Sequence, residues 1–254
     1  MSIAKKLWYK YTKIFGATIF HPQFFSYRYI VRDAKRAAPG IMGTLVDIGC
    51  GTKPYMKYFA DRVEHYVGLD YPHSQESADS ATSTPPDIYA NALQIPIKSA
   101  SVDIALLAQV LEHIPDPRRT LDEIARILKT NATLIITVPM LYPIHSAPHD
   151  YFRFTEHGLT ELLTGSGFHV TELRRNGGFT ATVTLFVNVF LMHKIFNLAA
   201  QKWASILALI LMPLVILGST ITNTISYILQ PLDRERKFTH GYFVTAKRNE
   251  KHIE

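Results

Sequence analysis

Residues 45–52 read L-V-D-I-G-C-G-T, an apolar run that enters two glycines, Gly49 and Gly51, with the acid Asp47 just ahead of them. Glycines at such a turn let the backbone reverse sharply and let a ligand approach where a Cβ would clash. Residues 67–70, V-G-L-D, end a second apolar run on Asp70. A carboxylate at the end of the second strand of a doubly wound fold can accept hydrogen bonds from both ribose hydroxyls of an adenosine ligand. A nicotinamide cofactor shares that logic, so the pair alone leaves an oxidoreductase open. Two details favour a different ligand. The dinucleotide fingerprint calls for a third glycine three residues on, and Pro54 stands there. Asp47 would sit poorly beside a pyrophosphate and well beside a cationic amino-acid or sulfonium group.

A second concentration of chemistry follows the run at 133–138, in P-M-L-Y-P-I-H-S-A-P-H-D-Y-F-R-F-T. Ligands of open α/β sheets bind outside the carboxyl ends of the strands. His149, with Asp150 beside it, is the preferred general base for an oxygen nucleophile, and His145 is the second candidate. Arg153, between Phe152 and Phe154, is placed to clamp a phosphate or carboxylate of an acceptor, with Tyr142 and Tyr151 as further contacts. An equally simple reading makes the segment a rigid lid held by a His149–Asp150 hydrogen bond. His145, His149 and Asp150 complete no recognisable metal site, so no metal is expected.

The elements that must position these groups alternate regularly. Strand-like runs at 45–48, 66–69, 102–108 and 133–138 are separated by helix-like runs at 55–62, 118–129 and 155–166, with Asn131 as the stop of the second helix. Further strands are expected at 168–173 and 241–247. Such alternation builds a parallel sheet with helices on both faces.

With the text N-A-L-Q-I-P-I-K-S-A-S-V-D-I-A-L-L-A-Q-V-L-E-H-I-P-D-P added at 91–117, residues 45–170 resemble a class I S-adenosylmethionine-dependent methyltransferase. The likeness is to the type 11-like group that includes quinone-biosynthesis methyltransferases. The resemblance implies a doubly wound, Rossmann-like seven-stranded sheet; residues 176–236, outside the resemblance, add a hydrophobic helical insertion between its last two strands. It implies S-adenosylmethionine as cofactor, with Asp47, Gly49 and Gly51 cradling the methionine part and Asp70 on the ribose. Asn91 and Ala92 would border the adenine, and Gln109 would approach the methionine end. The family often has Asp where Asn91 stands, which implies weaker binding there. Glu112 and His113 fall at a family-typical helix start, where they hold the loop.

Three parts of the chain are expected: a basic aromatic helical leader at 1–38, a cofactor domain at 39–175 and 237–254, and an apolar helical insertion at 176–236. The stretch 203–232 carries no charge and 206–217 is apolar apart from Pro213, so about 20 apolar residues, enough to span a bilayer, are available. Arg174 and Arg175 precede the insertion and Arg234, Arg236 and Lys237 follow it, which suits a hairpin with both ends on the cytoplasmic side. Lys194 and Lys202 in its connection favour a monotopic or re-entrant hairpin over two full spans.

Composition agrees. The net charge of +6 lies wholly in the first 32 residues (Lys5, Lys6, Lys10, Lys13, Arg28 and Arg32), because the remaining 21 basic residues balance 21 acidic ones. That is unlike a uniformly basic nucleic-acid binder and like a neutral body with a basic leader suited to anionic lipid. A hydrophobic content of 47% excludes a disordered chain, and the lone Cys50 excludes an internal disulfide. No cleaved signal peptide is expected from the opening residues. The reading is thus a methyltransferase on the cytoplasmic face of a membrane with a lipid, lipid-linked or small-molecule acceptor. A nicotinamide oxidoreductase and a binding protein without turnover are the alternatives.

Overall fold

A computed structural model describes residues 3–72, 84–201, 204–233 and 237–250. The chain forms two compact units: residues 33–140, 144–174 and 241–254 in one, and 1–32, 141–143 and 175–240 in the other. Lys202, Trp203, Arg234 and Arg236, used above, lie outside the described residues.

The first unit is built on a seven-stranded sheet. Its strands are β1 Thr44–Ile48, β2 His65–Asp70, β3 Ile88–Tyr89, β4 Val102–Ala108, β5 Leu128–Pro139, β6 Phe168–Asn176 and β7 Gly241–Arg248. The order across the sheet is β3-β2-β1-β4-β5-β7-β6. Neighbours from β3 to β5 are parallel, and β7 lies antiparallel to β5 from Thr133↔Lys247 to Pro139↔Gly241. The central strands read as unbroken apolar runs because both faces are covered. Their period of two sorts the side chains: Val46, Ile48, Ala105 and Leu107 join one buried cluster, while Leu45, Ile104, Leu106 and Ala108 join another.

Helices α3 Met56–Phe59, α4 Pro117–Ile127 and α5 Glu156–Gly165 flank the sheet. The start of α4 is written in D-P: Asp116 accepts from Arg119 N at 3.0 Å, and Pro117 takes a first-turn position that needs no donor. Leu121, Ile124 and Ile127 are buried along one side of it. Its end departs from expectation. The helix stops at Ile127, and Leu128 already pairs with Val102 before the register shifts. Asn131, expected to stop a helix, instead sits inside β5 with φ of 60°, a conformation asparagine tolerates better than most residues. The two-residue β3 was not anticipated, since it is too short to show alternation.

The second unit gathers α1 Ile3–Phe15, the first part of α2 Phe24–Ala37, and the hairpin α6 Phe179–Ala200 and α7 Ser205–Leu229. Leader and insertion, distant in sequence, are therefore packed together. Asn223 ties them: its Nδ2 donates to the carbonyls of Ile19 and His21, both at 2.9 Å, and its Oδ1 accepts from Asn188 Nδ2 at 3.1 Å. Trp8 meets Phe196 edge-on at 5.2 Å. The buried His21 ring lies 3.1 Å from Thr12 Oγ1, and burial drives its pKa down to about 4.

Both hairpin helices are long and apolar enough to cross a membrane by length and composition. Most of α7 is uncovered: Ile206 is 71% exposed, Ile210 62%, Leu214 61% and Ile228 67%.

Candidate active site

The expected cofactor residues Asp47, Gly49, Gly51, Asp70 and Gln109 stand at the carboxyl ends of parallel strands. Gly49 and Gly51 follow β1 with φ of 71° and 53°, in the left-handed region. A Cβ on Gly49 would lie 2.5 Å from Val110 Cγ2, so the turn must pass tightly over the end of β4. A Cβ on Gly51 would meet nothing within 4 Å. The first glycine is required by the protein's own packing, and the second faces open space.

Asp70 ends β2, only 6% exposed. Its Oδ2 accepts from Gly51 N at 2.6 Å and its Oδ1 from Tyr71 N at 2.7 Å. Each oxygen keeps a lone pair, as ribose hydroxyls would need. Asp47 is buried within β1 and accepts from the Tyr66 hydroxyl. Desolvation pushes its pKa up to about 7, with the Asp70 charge adding to the rise and the Tyr66 hydrogen bond and Lys53 opposing it.

A stability prediction follows. The folded pKa of Asp47 stands above the ordinary 3.8, so the folded chain holds a proton that the unfolded chain releases. This contribution is complete at low pH and is lost as pH rises through about 7. Relative to Asp47→Asn, wild type should lose stability between about pH 4 and 7 with a slope of at most about 1.4 kcal/mol per pH unit, measured by urea denaturation.

Sequence reasoning missed one member of this site. Lys53, with φ of 54°, is buried and pairs with Asp87 Oδ2 at 2.7 Å, and Asp87 also accepts from Gly68 N at 2.7 Å. This pins the turn after β1 to β2. No spacing rule marks Lys53, because its partner is 34 residues away in an unpatterned segment.

Gln109 follows β4 with φ of 60° and is bound to Thr137, its N to the carbonyl at 2.9 Å and its Nε2 to Oγ1 at 3.2 Å. Asn91 Oδ1 accepts from Leu93 N at 2.9 Å, so the amide shapes its own turn. Ala92 packs against the larger core cluster.

The segment after β5 is wired differently from its sequence neighbours. Asp150 forms a two-pronged pair with Arg153 (Oδ1 to Nη1 2.6 Å, Oδ2 to Nη2 2.8 Å) and accepts from His145 N at 2.9 Å. The Arg153 guanidinium holds the Asp150 carboxyl far below the usual carboxylate range. His145 Nδ1 lies 3.5 Å from Asp150 Oδ2. His149, beside Asp150 in sequence, is exposed, and its Nδ1 lies 3.2 Å from the Tyr151 hydroxyl. Arg153 is thus engaged within the segment. Tyr142 belongs to the helical unit, where its hydroxyl accepts from Gln23 Nε2 at 2.6 Å.

Glu112 and His113 do hold the loop, but through unexpected atoms. The Glu112 carbonyl accepts from Tyr151 N and Phe152 N, and His113 Nδ1 donates to the His149 carbonyl at 2.6 Å. The Glu112 carboxyl itself is fully buried with neither oxygen hydrogen-bonded, and burial pushes its pKa up to about 8.

A sheet of this order with an antiparallel seventh strand, a glycine turn after β1 and an acid ending β2 defines the class I methyltransferase fold. Residues 46–136 match the methyltransferase domain family, so this stretch is similar to S-adenosylmethionine-dependent methyltransferases of that class.

Curated relatives are methyltransferases as well. A probable S-adenosylmethionine-dependent methyltransferase of Mycolicibacterium smegmatis is 29% identical over 135 residues, 50% of this chain and 52% of the relative. An uncharacterized methyltransferase of Mycobacterium leprae is 28% identical over 144 residues, 55% and 51% of the two chains. The chain spans about half the length of these curated relatives. Among solved structures, the (4+2)-cyclase SpnF superposes with a TM-score of 0.56 at 20% identity, covering 87% of this chain and 80% of that one. An S-adenosylmethionine-dependent methyltransferase from Mesorhizobium loti gives 0.51 at 16% identity, covering 85% and 96%. At these identities the structural likenesses speak for the fold.

Proposed function

We propose that the chain transfers a methyl group from S-adenosylmethionine to an oxygen of an amphiphilic acceptor, a lipid or lipid-linked glycan, at the cytoplasmic face of a membrane. The observation that carries the cofactor reading is the pairing of two buried carboxylates, Asp47 and Asp70, beside a glycine turn whose only described buried ammonium, Lys53, is turned to Asp87. That environment suits a cationic ligand and repels a pyrophosphate. The open space above Gly51 leaves room for it.

When bound, S-adenosylmethionine supplies an electrophilic methyl on a sulfonium, and S-adenosylhomocysteine is left. Asp70 would hold the ribose, Asp47 would face the amino-acid end, and Gln109, braced by Thr137, would close the methionine side. Alignment of this kind is the larger part of catalysis for a displacement. His149, exposed and steadied by Tyr151, takes the proton that the acceptor oxygen gives up.

The membrane reading rests on the uncovered apolar face of α7 and on the basic leader that packs with the hairpin. Incubation with methyl-labelled S-adenosylmethionine and a total lipid and glycolipid extract should place label in the organic phase. Label confined to water-soluble products would remove the lipid acceptor. Cofactor binding with no label in any fraction would leave a binding protein without turnover.

A further inference from the structure

The buried carboxylate of Glu112 has no role in the proposal above, and its environment is unusual. Both of its oxygens are sealed from solvent and neither has a hydrogen-bond partner. Buried polar groups are almost always satisfied, and an orphan commonly signals a missing ion or water. Two imidazoles stand beside it. His113 Nε2 lies 3.7 Å from Glu112 Oε1, and the His113 and His145 rings meet edge-on at 4.7 Å between centroids. One ligand atom from each of the three residues falls within 4.8 Å of the others.

We propose that Glu112, His113 and His145 bind a divalent transition-metal cation. Two histidines and one carboxylate are an ordinary ligand set for such ions and leave coordination positions open. At bond lengths of about 2.1 Å, the ligand atoms around a tetrahedral ion stand about 3.4 Å apart. Glu112 and His113 already approach that spacing, so closure falls mainly to His145 on the partly exposed segment after β5.

The outer contacts fit as well. Metal-bound histidines usually engage their second nitrogen with a carbonyl or carboxylate, which fixes tautomer and ring angle. His113 donates from Nδ1 to the His149 carbonyl, leaving Nε2 toward Glu112. His145 Nδ1 lies 3.5 Å from Asp150 Oδ2 and also 3.5 Å from Arg153 Nη2. The guanidinium charge would oppose a cation, but it is matched by the two-pronged Asp150 pair.

The cluster follows β4 and β5 at their carboxyl ends, and Val110, two residues before Glu112, packs on Gly49 of the cofactor turn. On the methyltransferase reading, an acceptor hydroxyl entering an open position would become more acidic. This deepens that reading, whereas metal binding by itself does not depend on it.

The test uses the full chain, free of any histidine tag and stripped with chelator, titrated with Co²⁺ and Zn²⁺ in the absence of S-adenosylmethionine. One equivalent should bind, with Co²⁺ giving a d–d absorption band. Glu112→Gln and His145→Ala should each weaken binding by more than about tenfold, while His157→Ala on α5 should not. If Glu112→Gln does not fold, His145→Ala decides, because its side chain is on a partly exposed segment. Wild type without saturable binding, or a folded His145→Ala that binds as wild type, overturns the proposal. Because no methyl donor is present, such a failure leaves the methyltransferase reading intact, and absence of methyl transfer leaves the metal site standing.

Discussion

Asp70→Ala is expected to weaken S-adenosylmethionine binding by roughly 100-fold or more. Two hydrogen bonds from ribose hydroxyls to a buried carboxylate are lost, each worth about 1.5–3 kcal/mol. Asp70 also receives Gly51 N and Tyr71 N, so part of the loss in this variant comes from a loosened turn. Gly51→Ala separates the two effects. Its added methyl meets no protein atom, and only the φ of 53° costs the fold, about 1–2 kcal/mol. On the proposed reading that methyl would occupy the approach to the cofactor. Calorimetric titration should find Gly51→Ala folded, a few degrees lower in Tm, and unable to bind. Cofactor affinity within twofold of wild type in both variants would show that the ligand binds elsewhere.

The second large effect concerns α7. Ile210 and Leu214 are one turn apart on its uncovered side. Arginine at both positions should leave stability in detergent nearly unchanged, since neither side chain is buried in the protein. In a bilayer each arginine near a helix centre costs about 2.5–3.5 kcal/mol, so with two of them vesicle partitioning should fall by about ten-thousandfold. Flotation with vesicles containing anionic lipid measures this directly. Were wild type to stay with the soluble fraction at low ionic strength, the apolar face would belong to a protein contact instead.

How much of this was legible in the sequence depends on the range of the interaction concerned. The glycine turn after the first strand and the acid ending the second are local devices, set by residues within a few positions, and both are found where expected. The end of α4 was misplaced because Leu128 is claimed by a cross-strand partner, Val102, whose pull no helical pattern records. The lid was readable as a set of polar groups but not as a wiring diagram. His149 and Asp150 adjoin in sequence, yet Asp150 turns to Arg153 and His145, while His149 meets Tyr151. The group of Glu112, His113 and His145 joins two loops across the sheet's edge. Its members look like ordinary loop residues until the strands bring those loops together.

The position of β7 sets a timetable for biosynthesis. It is the last of the seven strands to be made, yet it lies between β5 and β6, so a gap one strand wide persists until residues 241–248 have been synthesised. During that interval the hairpin and its 200-residue-distant leader contacts emerge first, and β5 waits with an unpaired backbone edge. Long-range closure of this kind is slow and exposes the nascent chain to aggregation. The apolar hairpin is therefore synthesised before the sheet can be completed, and any delay in the arrival of β7 leaves the backbone edge of β5 open.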